Sequence, residues 1–152
     1  MTTHLELIRK RLDHLARMAN HLAYSYEQVQ AMLPIVDWSV LTAEQHESLA
    51  AFRVRFSEYQ EHLGKTMRAI ALEEEVATEP FGAVLAFMEK LEILDSVEHW
   101  KQIRELRNAI NHEYEENPDR LSEFFSLLIK ETPTLRDYHQ RLAAFCQRSY
   151  DK

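Results

Sequence analysis

An all-α, antiparallel up-and-down bundle of about five helices is the fold this sequence predicts, and three observations predict it. Gly 2 and Pro 4 in 152 residues leave little material for hairpin turns or glycine-rich loops. Apolar residues recur at alternating spacings of three and four over long stretches, which is the seam of an amphipathic helix rather than the period-two alternation of a strand. Helix-start signals stand where those stretches begin. With no repeat, low-complexity tract or linker, the chain reads as a single helical domain over residues 1–152. A domain of that size buries about two thirds of the surface its unfolded form exposes.

The elements follow in order. Leu5, Ile8, Leu12, Leu15, Ala19, Leu22, Tyr26, Val29 and Leu33 form one unbroken seam, opened by Thr3 with Glu6 as a capping box and stopped by Pro34. A connector holding Asp37 and Trp38 leads to a second capping box, Thr42 with Gln45. Leu49, Phe52, Phe56, Tyr59, Leu63 and Ile70 then carry a second long helix to about Glu74, with Gly64 as a weak point or a close-packing point. Thr78 and Pro80 mark a third, shorter helix through Phe81, Val84, Met88 and Leu91. Asp95 or Ser96 can cap a fourth, whose stripe is Trp100, Ile103, Leu106 and Ile110. Asn117-Pro118 starts a fifth, and Leu121, Phe124, Leu128, Leu135, Tyr138, Leu142 and Phe145 stay in phase across Pro133. One helix kinked near Pro133 is therefore expected rather than two.

Composition narrows function. Hydrophobic residues at 45% and charged residues at 28% are globular values. The net charge of −7 argues against broad nonspecific nucleic-acid binding, which rests on Lys and Arg neutralising phosphates, and leaves room for a small, locally basic site. The basic cluster Arg9, Lys10, Arg11 and Arg17 reads as a solvated helix face. Lone Cys146 makes no intrachain disulfide, the first residues lack a basic and then apolar leader, and no apolar run reaches the ~20 residues of a membrane span, so a cytoplasmic protein is expected. No Glu-x-x-His pair, His-Glu-x-x-His, zinc quartet or Gly-x-x-x-x-Gly-Lys occurs, so no metal site and no cofactor is expected. The histidines outside residues 107–114 read as surface or boundary residues.

The segment that speaks to function is Arg107-Asn-Ala-Ile-Asn-His112-Glu-Tyr114. It puts a fixed cation, an amide, an imidazole and a phenol together near the end of the fourth helix, a set suited to phosphate chemistry. On a regular helix Arg107 and His112 differ by about 140° around the axis, so either the helix unwinds before His112 or the partners come from two chains. Arg104, Asn108 and Asn111 form a polar strip beside the buried one. The plainer alternative is that an Arg, a His and several Asn at a helix C-terminus serve capping and dipole compensation. Tyr114 by itself also reads as a partly buried aromatic continuing the Ile110 stripe.

Glu-Leu-Arg-Asn-Ala-Ile-Asn-His-Glu-Tyr resembles the signature of the HEPN superfamily, and its Arg-x4-His-x-Tyr form is similar to the HepT-like ribonuclease toxins paired with a minimal nucleotidyltransferase antitoxin. The resemblance implies a helical homodimer with the motifs of both chains facing one cleft. It implies metal-independent cleavage of tRNA or mRNA in a type VII-like toxin–antitoxin pair, with no DNA substrate. Arg107, His112 and Asn108 would be catalytic, Arg104 and Asn111 would contact substrate, and Tyr114 would be the tyrosine that the antitoxin adenylylates with ATP. The other implied reading is a non-catalytic HEPN protein that binds a nucleotide or docks a nucleotidyltransferase.

Overall fold

A computed structural model describes residues 3–151 apart from 114–116, and of 109–113 the backbone alone. Within them lie α1 (His4–Met32), α2 (Ala43–Glu73), α3 (Phe81–Lys90), α4 (Val97–Glu113) and α5 (Pro118–Tyr150), a 3-10 turn at Trp38–Val40 and no strand. The helix starts are set by local chemistry. Thr3 accepts from the Glu6 N–H while the Glu6 carboxylate accepts from Thr3, and Thr42 and Gln45 do the same for α2. Each box satisfies two backbone donors that a helix end would otherwise leave open.

The other helix starts fall where the sequence marks them, and the structure settles which groups do the work. Ser96, not Asp95, caps α4, accepting from the His99 N–H at 3.0 Å, while Asp95 pairs with Arg141 at 2.8 Å. Helix α3 starts behind Pro80 with no side-chain cap, and Thr78 offers only its carbonyl, to Arg68. Asn117 caps α5 with Pro118 in the first turn, and the helix continues unbroken through Pro133 to Tyr150. Proline at 133 has no N–H for the carbonyl four residues back, and Thr132 beside it donates to the Leu128 carbonyl at 2.7 Å.

Pairings between helices give the topology. His4 meets Glu73, the His14 and His62 rings lie 5.0 Å apart, and Ser25 meets Arg55, so α1 and α2 run antiparallel. Tyr59 meets His139 and Glu74 meets Tyr150, so α2 and α5 run parallel. Asp95 to Arg141 and His99 to Glu131 set α4 antiparallel to α5. Helix α2 supplies the axis of the core: Leu49, Phe52, Phe56, Tyr59, Leu63, Met67 and Ile70 are all buried. Burying each such side chain contributes roughly 1.5–3 kcal/mol. That far outweighs the ~1 kcal/mol cost of Gly64 in the helix interior.

Candidate functional site

Helix α4 presents its apolar side to the core through Trp100 and Ile103, with Leu106 half-buried. The strip beside it carries Arg104, Arg107 and Asn108, and these three line a groove between α4 and α2. At one end Arg107 and Asn108 stand across from Arg53, Ser57 and Glu58. At the other, Arg104 and Arg107 stand across from Gln60, Gly64 and Arg68, with Trp100 and Phe81 as walls of a slot of about 180 Å³. Arg107 and Glu61 line both depressions, which therefore adjoin at these two residues.

The groove is basic in an acidic protein. Arg53, Lys65, Arg68, Arg104 and Arg107 line it against Glu58 and Glu61, although the whole chain carries −7. Three of these cations are engaged: Lys65 with Glu61 at 3.5 Å, Arg68 with Glu79 at 2.7 Å, and Arg53. Arg104 and Arg107 have no hydrogen bond or ion pair to another described residue. Arg107 is half-buried and Arg104 exposed, so their charge is directed to whatever enters from solvent.

Gln60 lines the slot at 1% exposure, and neither Nε2 nor Oε1 has a hydrogen-bond partner among the described residues. Leaving such a buried group unsatisfied costs about 1–3 kcal/mol. Gly64, one turn along, has no positive φ, and a Cβ built on it would lie 3.5 Å from both Phe81 Cζ and Trp100 Cζ2. Backbone conformation therefore does not call for glycine there. The missing side chain leaves space between α2 and the two aromatic rings.

Of the sequence-predicted site residues, the structure brings Arg104, Arg107 and Asn108 to this groove. Helical backbone persists to Glu113. The helix does not unwind before His112, so Arg107 and His112 are about 140° apart around one helix axis. The Asn111 and His112 side chains, and Tyr114 entirely, lie outside the described residues. The α2 wall was missed from sequence. Its signal was Gln60, an amide four residues after Phe56 and three before Leu63, in phase with the apolar seam.

Other titratable groups belong to helix seams. His99 Nε2 meets Glu131 at 2.7 Å and its Nδ1 meets the Tyr138 hydroxyl at 3.1 Å, joining α4 to α5. Burial above all pushes the Tyr138 phenol up to about 12. Tyr59 and His139 pair at 2.6 Å, and burial, helped by Arg136, holds His139 below its ordinary value. Burial pushes the Cys146 thiol up to about 11, which leaves it protonated and a poor nucleophile at neutral pH. Arg9, Lys10, Arg11 and Arg17 are exposed on α1, Arg9 pairing with Asp151. Among the described residues no group of three His, Cys, Asp or Glu could hold a metal ion, and no helix is long and apolar enough to cross a membrane. Comparison with protein-family models, with curated proteins and with solved structures returns no match.

Proposed function

We propose that the chain is a HEPN-type, metal-independent endoribonuclease of the HepT-like class, built as a homodimer whose α4 helices share one RNA-cleaving cleft. The observation that carries this reading is Arg107: a half-buried guanidinium without an ion partner among the described residues, in a basic groove, on the helix that also bears His112. A guanidinium stays cationic and can grip phosphate through two parallel N–H donors. Cleavage of RNA by its own 2′-hydroxyl needs a base for that hydroxyl, an acid for the leaving 5′-oxygen and positive charge against the phosphorane. One chain offers one motif imidazole. Two chains supply two His112 for base and acid and two Arg107 for the anion, and pairing also answers the 140° separation within one helix.

In this reading Asn108 orients substrate or the catalytic groups, while Arg104 and Asn111 extend the contact along α4. A minimal nucleotidyltransferase antitoxin silences the enzyme by adenylylating Tyr114 with ATP, since bulk and negative charge beside the cleft repel the incoming phosphate. The reaction belongs to the cytoplasm, where tRNA and mRNA are the available substrates. A second reading, a non-catalytic nucleotide-binding or nucleotidyltransferase-docking protein, draws on the net charge of −7 and on Glu58 and Glu61 in the groove. Incubating purified protein with tRNA and mRNA in excess EDTA decides between them. Cleavage that disappears in Arg107→Ala and in His112→Ala, with a dimer by light scattering, is expected of the enzyme. An inert wild-type protein, or a strict monomer at micromolar concentration with and without RNA, overturns it.

A further inference from the structure

We propose that the slot between α2 and α4 is a nucleobase subsite, in which Gln60 reads the base edge and Arg104 and Arg107 hold the attached phosphate. Three independent features converge there. The Gln60 amide is buried to 1% exposure with neither polar atom partnered among the described residues. Gly64 sits in the middle of a 31-residue helix with no conformational need for glycine, keeping space beneath Phe81 and Trp100. Arg104 and Arg107, which line the same slot, have no ion partner among the described residues.

The chemistry selects the ligand class. A glutamine amide offers one donor and one acceptor side by side, which matches the adjacent donor and acceptor on a base edge and mismatches a carboxylate, which wants two donors. Gln60 lines the slot, and its soft terminal torsion lets the amide plane turn to match a ring seated there. Aromatic walls suit a flat ring that leaves water, as single-stranded RNA bases do on protein surfaces. A slot of about 180 Å³, roughly the liquid volume of six waters, takes one ring system and leaves the sugar and phosphate outside. The phosphate then meets Arg107, the guanidinium shared with the rest of the groove. The subsite deepens the ribonuclease reading by giving that enzyme a base preference next to its scissile bond.

Binding of AMP, GMP, CMP and UMP, set against ribose 5-phosphate and inorganic phosphate, tests the subsite by calorimetry without relying on cleavage. The wild-type protein is expected to bind at least one nucleotide about ten- to a hundredfold more tightly than ribose 5-phosphate, the range one stacked base contributes. Gln60→Met removes that preference and leaves ribose 5-phosphate binding unchanged, whereas Arg107→Ala weakens both. In wild-type protein the Gln60 side-chain amide resonance shifts with the preferred nucleotide and not with ribose 5-phosphate, a readout independent of how the variant folds. Equal affinity for all nucleotides and ribose 5-phosphate, or a preference that survives Gln60→Met, overturns the subsite. Base-dependent binding by a protein that cleaves no RNA keeps the subsite and removes the ribonuclease. RNA cleavage without base-dependent binding does the reverse.

Discussion

Tyr59 and Gln60 are chain neighbours on α2, at 0% and 1% exposure, and they turn to different helices. Tyr59 faces α5, where its hydroxyl meets His139 at 2.6 Å, and the seam closes with its polar atoms paired. Gln60 faces α4, where neither of its polar atoms has a partner among the described residues. The same helix thus builds a finished joint on one side and an unfinished one on the other. A paired buried group contributes to stability, and an unpaired one subtracts from it. Polar residues kept at such a cost are concentrated where function needs them.

The largest effects test the unfinished side. Arg107→Ala and His112→Ala should each lower RNA cleavage by roughly 10²–10⁴, with the helical circular dichroism of the parent protein. Activity retained in either variant would show that the α4 groups are structural after all. On the finished side, Tyr59→Phe strips His139 of its partner and should cost about 1–3 kcal/mol in urea unfolding, with no change in nucleotide binding. A neutral Tyr59→Phe would erase the contrast.

Acid should weaken the finished joint too. Burial, reinforced by Arg136, holds His139 below the ordinary 6.5, and His62 is lowered by burial and then by Lys65. A histidine whose folded pKa is depressed binds fewer protons in the native state than in the unfolded one. Its contribution is complete above about pH 6.5 and is lost as pH falls through the depressed value. Urea midpoints measured from about pH 7.5 to about pH 5 should fall, and less steeply in His139→Gln. An equal fall in that variant would move the effect elsewhere.

The smallest effects carry the opposite sign. Gln60→Leu should stabilise the fold by about 1 kcal/mol, since it removes two buried polar atoms that have no partner among the described residues. Gly64→Ala should add roughly 0.5–1 kcal/mol, because its new Cβ meets Phe81 and Trp100 at an ordinary 3.5 Å. Destabilisation by either change would mean that the α2–α4 wall is already optimised for packing.

The helices were legible in the sequence because their causes are local. Thr3 with Glu6, Thr42 with Gln45, and Asn117 with Pro118 each act within four residues, and an unbroken apolar seam fixes which face is buried. The in-phase stripe across Pro133 was enough to expect one helix, and α5 is one. The groove was only half legible. Its α4 side could be read from Arg104, Arg107 and Asn108, but its α2 side depends on residues more than thirty positions away, which periodicity cannot assign to a partner helix. Asp95 and Ser96 show the same limit: either can cap α4, and the choice falls to Arg141 on α5, which takes the carboxylate.

The bundle has two poles. Arg9 with Asp151, His4 with Glu73 and Tyr150 with Glu74 tie the outer ends of α1, α2 and α5 together at one of them. Trp38 and Ser122 join the α1–α2 connector to the start of α5 at the other, where α4 also ends. Since α5 alone spans about 50 Å, an affinity tag, a surface linker or a fluorophore attached at residue 4 or residue 151 stands nearly a full molecular length from His112. Either position can serve as a handle, and immobilising the protein by one of them turns the pole where α4 ends outward to solvent.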